Sequence, residues 1–360
     1  MLRPHDERNH MDYGDVLPPS DLLACKLPPA RGPLSDWLFS VLRTPPSTRL
    51  PTMPPPIDDV LYGDDAALAL YCLYELHYRG FSDVDDGWEW APALLGARAD
   101  LERRLEARIR EEVPSHICGT IPERLYEICA PKPGAEGVSL SAYLAEEGTL
   151  EELKEFAVHR SAYQLKEADP HTWALPRLSG TAKAAMVEIQ ADEYGAGIER
   201  DMHQTLFAVT MSELGLDTGY NAYLPYLPGV SLATTNLVSY FGLHRRLRGA
   251  LVGHLALFEM TSVEPMGRYS VALRRHGAGA AARHFYDVHV VADAHHQTVA
   301  AEQLAVGLAR QEPHLAADII FGAEAVTAVE ATLTAHLMGS WARGESSLRS
   351  VEPERRSATA

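Results

Sequence analysis

From Asp58 onward, apolar residues recur at three- and four-residue spacing, the period of an amphipathic α-helix. "DDAALALYCLYELHYRG" predicts a helix that stops at Gly80, and "ALLGARADLERRLEARIREEVP" a second closed by Pro114. "SLSAYLAEEG" predicts a short one. "GTLEELKEFAVHRSAYQLKEADP" opens with a capping box, Thr149 to Glu152, and stops at Pro170. Long helices are expected over about 179–214, over "TTNLVSYFGLHRRLRGALVGHLALFEMTS", over about 280–310 and over about 314–341. The alternation of a half-buried strand is almost absent. The pattern predicts an all-α chain, one helical bundle built on residues 58–342, with 57–144 as a helical extension on a 145–342 core.

Either side of the bundle the pattern lapses. Residues 1–56 hold twelve of the chain's 24 prolines, as in "LPPARGP", "TPPSTRLP" and "MPPP". Proline fixes φ and removes a donor, so the expectation there is an extended arm, wrapped over the body or partly disordered. The polar tail 343–360, "RGESSLRSVEPERRSATA", is expected to be mobile.

Composition narrows the function classes. The apolar fraction of 46% and charged fraction of 22% are those of a soluble globular protein. A net charge of −17 argues against nucleic acid, whose phosphates need clustered Lys and Arg. No apolar run is long enough to span a bilayer, and "MLRPHDERNHMDYGD" is unlike a secretory leader. Cys25, Cys72, Cys118 and Cys129 lie far apart without a C-x-x-C spacing, as expected of reduced thiols in a cytoplasmic protein.

The candidate chemistry begins at "HVVADAHHQTVAAEQL". On a helix His289, Asp293 and His296, at i, i+4 and i+7, share one stripe, while His295 projects away. Two imidazoles and a carboxylate in an apolar setting suit iron, manganese or zinc; a hydrogen-bonded polar seam is the other reading. Other helices offer matching groups: Glu167 at the end of "SAYQLKEAD", Glu259 in "HLALFEMTS", and Glu188, Asp192, Glu193, Glu199 and His203 in "EIQADEYGAGIERDMHQTLF". Regular helix geometry pairs His203 with Glu199 and leaves Glu193 about 80° off its stripe. The intervening "YGAG" would allow a π-bulge or local unwinding to bring both inward.

Taken together these residues resemble the heme-oxygenase-like diiron oxidases and oxygenases. Those carry Glu on the first core helix, Glu-x9-His on the second and His-x3-Asp-x2-His on the third, some with an extra Glu between. The matching positions are Glu167; Glu193 and His203; His289, Asp293 and His296; and Glu259. "YQLKEADPH" and "ADEYGAG" resemble the surroundings of the first two glutamates, and the resemblance covers about residues 145–340. It favours Glu193 over Glu199, which remains a candidate behind the ligands. Ferritin-like proteins use Glu-x-x-His on two helices, a spacing found only at Glu7 to His10, in the arm. A heme oxygenase needs one proximal His, which would leave the ligand set without a purpose.

The resemblance implies a heme-oxygenase-like bundle holding two iron ions that cycle between Fe(II) and Fe(III). It also implies O2 as co-substrate through a peroxo-diiron(III) species, an external electron donor, and no catalytic residue separate from the ligands. Members N-oxygenate amines of amino acids or guanidines, or fragment aliphatic or amino acids with C–C cleavage or decarboxylation. The expectation is N-oxygenation of an amino-acid-like small molecule in specialised metabolism, with oxidative C–C cleavage as the alternative. Arg245 and Arg246 in "LHRRLRG" are candidates for holding a substrate carboxylate, against the plainer reading of a solvated helix face. A non-catalytic interaction protein on the same scaffold is the third reading, and the Pro-rich arm would fit a partner or a homodimer with exchanged arms.

Overall fold

The computed structural model describes residues 25–113, 119–130 and 139–351. The first 24 residues of the expected arm and the last nine of the tail, Cys118 and Pro114 lie outside the described residues.

Among the described residues every regular element is helical. In chain order they are α1 Pro33–Leu42, α2 Asp64–Glu75, α3 Pro92–Glu112, α4 Ile121–Cys129, α5 Leu140–Glu146, α6 Leu150–Gln164, α7 Asp169–Thr172 and α8 Gly180–Glu193. There follow α9 His203–Glu213, α10 Gly229–Leu243, α11 Arg248–Thr261, α12 Val263–Arg275, α13 Ala280–Thr298, α14 Val306–Gln311 and α15 Ala316–Ala342. Among the described residues no helix is long and apolar enough to cross a membrane.

Two packing layers hold the site between them. In the larger, α10 and α15 flank α11, and α2 lies on α10. The α11–α15 crossing is close because glycines face backbone on both sides: a Cβ on Gly253 would overlap Ile319 O, and one on Gly322 would overlap Ala250 O. The smaller layer joins α5, α6, α9, α12 and α13 through Phe156, Phe207, Phe285 and Tyr286. Thr149 caps α6 as the sequence predicts: its Oγ1 accepts from Glu152 N at 3.2 Å, and Glu152 Oε2 accepts from Thr149 N at 2.7 Å.

Four expectations need correction. The Pro-rich stretch is not all extended arm, because Pro33 sits at the first position of α1, where its missing N–H costs nothing. Asp65 on α2 accepts from Leu34 N and Ser35 N at 2.8 Å each, and Leu38 and Phe39 enter the core. The tail is docked through Arg349: Ser347 is buried, bonded to Glu155 and to His159 Nε2, and Arg349 Nε lies 2.6 Å from Asp64. The single helix expected over "TTNLVSYFGLHRRLRGALVGHLALFEMTS" is two, α10 and α11, broken at His244. The long helix over 179–214 is also two, and that break shapes the site.

Candidate metal centre

Helix α8 ends at Glu193. The next residues enter the left-handed region one after another: Gly195 at φ 59°, Ala196 at 52° and Gly197 at 83°. A second short turn, Glu199–Asp201, follows before α9 opens at His203. The excursion consumes the nine intervening residues while keeping its ends together, so His203 Nδ1 lies 2.9 Å from Glu193 Oε2. No π-bulge occurs there. The π-helical turn lies elsewhere, at Val299–Ala305, directly after His296. The same excursion carries Glu199 outward to an exposed position, so it does not stand behind the cluster.

The other groups arrive from three directions. Glu167 stands just past α6, before Ala168 turns the chain with φ 72°, a left-handed residue whose carbonyl is held by Gln190 Nε2 at 2.9 Å. Glu259 comes from α11, and His289, Asp293 and His296 from α13. All seven are buried. Ligand atoms of Glu167, Glu193, His203 and His289 lie within 4.8 Å of one another, and so do those of Glu193, Glu259 and His296. Glu193 belongs to both groups. Asp293 adjoins the second, its Oδ1 3.8 Å from His296 Nδ1.

The histidines are aimed from behind. His289 Nδ1 donates to Phe285 O at 2.7 Å, which leaves the Nε2 lone pair facing the cluster, 3.8 Å from Glu167 Oε1. His296 is reversed: Nε2 meets Asp192 Oδ2 at 3.1 Å, and Nδ1 points to Glu259 Oε2 at 3.4 Å. Ser262 Oγ donates to Asp293 Oδ2 and fixes that carboxylate. His295 lies outside, exposed, 2.9 Å from Glu188.

Burial and crowding set the protonation of these groups. Burial, then the charges of Glu193, Asp293 and Glu259, push the Glu167 carboxyl well above the carboxylate range. Burial also raises Glu259, to about 8. Burial works against ionised Glu193 too, but His203, with help from His289 and His296, brings it down to about 2. His296 is disfavoured as a cation by burial, yet Asp192, Asp293 and Glu259 outweigh this and hold it at about 12. His289 is lowered by burial and by His203.

The donor set fits a metal. Glu167 Oε2, His203 Nδ1, Glu259 Oε2 and His296 Nδ1 are buried and make no aligned hydrogen bond among the described residues, although they face one another. Short separations at angles wrong for hydrogen bonds are what lone pairs converging on a cation produce. Mixed imidazole and carboxylate donors suit iron.

A cavity of about 390 Å³ opens onto the cluster and reaches Glu167, Glu193, Glu259, His289 and Asp293. Between α6 and α11 its wall is apolar, with Phe156, Leu255, Leu257 and Phe258. The proposed carboxylate-binding pair is not there. Arg245 and Arg246 are exposed on the turn between α10 and α11, and Arg246 is engaged by Glu106 at 2.7 Å and by Tyr240 at 2.6 Å. The arginine that lines the cavity is Arg160.

Residues 154–331 match the protein family described as iron-containing redox enzyme. That match covers just under half of the chain, from α6 into α15. The match is to redox enzymes, and the buried Glu/His cluster is compatible with iron. The chain is also similar to the nitrosourea synthase of Streptomyces achromogenes subsp. streptozoticus, 29% identical over 140 residues. That alignment covers 39% of this chain and 30% of the relative's length.

Sequence reasoning missed the residues that aim and line the site. Asp192 was one of several acids on its helix, and only the break after Glu193 singles it out. Arg160, Glu330, Ser262 and Phe285 carried no motif.

Proposed function

We propose that the chain is an O2-dependent non-heme diiron oxygenase that N-oxygenates an amino-acid-like small molecule. The observation that carries this reading is Glu193, common to two overlapping sets of ligand-type atoms. One iron would be held by Glu167, Glu193, His203 and His289, the other by Glu193, Glu259 and His296 with Asp293 beside them. Two irons supply the electrons and the oxygen-activating chemistry, replenished by an external electron donor.

The chain's own residues hold and aim. Asp192 and Phe285 O keep the two α13 imidazoles turned inward, and Ser262 keeps Asp293 from rotating. The apolar wall excludes water from the reacting atoms and leaves the substrate as what meets the cavity-lining carboxylates. The partial similarity to nitrosourea synthase supports a nitrogen atom as the point of oxidation.

The test is anaerobic loading with Fe(II), then mixing with O2 and a panel of amines, amino acids and aliphatic acids. O2 uptake that needs both iron and an amine, with oxygen from O2 in a hydroxylamine, nitroso or nitro product, is the expected result. CO2 with an alkene or aldehyde would assign oxidative C–C cleavage instead. Uptake of a single iron, or no O2 consumption with any of these, would overturn the reading.

A further inference from the structure

The cavity has a second polar pole. On α6 the lining residues Phe156, Arg160 and Tyr163 follow at i, i+4 and i+7, one face of the helix, and Glu167 lines the cavity just past its end. Opposite, Thr327, Glu330 and Thr334 of α15 line it at i, i+3 and i+7. Arg160 and Glu330 meet there in a two-pronged pair, Nη1 to Oε1 at 2.9 Å and Nη2 to Oε2 at 2.5 Å. Apart from histidines, Arg160 is the one cation lining the cavity among the described residues, and Glu330 is the one acid there outside the candidate metal cluster.

Neither member is used up by the pair. A guanidinium has five N–H donors and Glu330 takes two, while each carboxylate oxygen keeps a free lone pair. Both side chains remain partly accessible, at 17% and 22%. Such a pair can accept a zwitterion without being broken, a carboxylate on the guanidinium and an ammonium on the carboxylate. From Arg160 to the end of α6 at Gln164 the helix rises about 6 Å, and the turn beyond it carries Glu167 into the cluster.

We propose that the Arg160–Glu330 pair binds the α-carboxylate and α-ammonium of an α-amino acid whose nitrogen-tipped side chain, of lysine or arginine length, reaches the metal cluster. The nitrogen tip rests on the N-oxygenation reading above; the zwitterion subsite rests on the cavity alone. The apolar wall between the poles takes the methylene stem.

The experiment uses the full chain loaded with Fe(II), with L-lysine and L-arginine set against cadaverine and agmatine, which lack the carboxylate, and 6-aminohexanoate, which lacks the α-ammonium. O2 consumption gives kcat and KM, and iron loading is measured on the same samples. The wild type should prefer at least one amino acid over its decarboxylated partner by roughly tenfold to a hundredfold, expressed in KM. Arg160→Met should collapse that ratio toward unity while two irons still load; Arg160→Lys should recover part of it. If Arg160→Met does not fold, Glu330→Gln, which retains a hydrogen bond to Arg160, should reduce the preference for L-lysine over 6-aminohexanoate. A pair that merely ties α6 to α15 would lower stability and leave the ratio intact, and that result overturns the subsite. So does normal iron loading with turnover of only the amines, only 6-aminohexanoate, or none of the panel. Failure to load two irons would overturn the diiron reading instead.

Discussion

Glu193 and His203 are ten residues apart in the chain and 2.9 Å apart in space, because the helix expected to carry both is interrupted between them. Gly195 makes the interruption possible. Its φ is +59°, and a Cβ there would stand 2.5 Å from Asp201 C and 2.6 Å from Met202 N, both backbone. Gly195→Ala therefore displaces the segment that delivers His203. Iron binding should fall toward one ion per chain, while far-UV circular dichroism stays that of the wild type. Full loading of the variant would show that the excursion does not position the ligand.

Asp192 acts through His296, whose Nε2 it meets at 3.1 Å. Losing such a partner typically costs 10- to 100-fold in metal affinity, so Asp192→Ala should weaken the second iron by about that factor. Competitive Fe(II) titration would read it, and the first iron should be little affected. Equal weakening of both would contradict this division.

Much of this was legible in the sequence, and the exceptions have physical causes. The amphipathic period marks most helices, and His289, Asp293 and His296 announce a stripe because a regular helix carries them. The Glu193–His203 relation was not legible from period alone, since Ala196 takes a left-handed conformation that its side chain does not advertise. The Arg160–Glu330 pair was not legible for another reason. Arg245 and Arg246 look like a binding patch in sequence, whereas Arg160 meets Glu330 across 170 residues, and only packing joins them. Proline content likewise pointed to an arm although Pro33 opens a core helix.

Acidity should act on the metal-free protein in a defined direction. Burial raises the folded-state Glu259 carboxyl to about 8, and neighbouring acids hold His296 at about 12. A raised folded-state pKa gives stability that is full below the unfolded value and is lost as pH rises through the folded one. Between about pH 6 and 8 both groups therefore lower the stability of the metal-free protein as pH rises. Iron takes the place of these protons, so its binding strengthens over the same window. The melting-temperature gap between iron-loaded and metal-free protein should widen from pH 6 to 8, and a narrowing gap would contradict the assignment.

Beside Glu167, the Lys166 ammonium lies 2.7 Å from Glu75 of α2, with both side chains buried and Tyr220 Oη donating to the same carboxylate at 2.7 Å. Lys166→Met leaves Glu75 buried without its cation, at a cost of about 3–5 kcal/mol in denaturant unfolding. Adding Glu75→Gln should recover much of it. If the double variant were no more stable than the single one, the pair would not be what makes α2 part of the body.

The most direct measurement is iron stoichiometry across three ligand variants under anaerobic Fe(II) titration. The wild type should bind two ions, and His203→Ala and His296→Ala one each. Glu193→Ala should hold neither tightly, because its carboxylate belongs to both sets. One tightly held ion in Glu193→Ala, or a single ion in the wild type, would contradict a shared-carboxylate diiron centre.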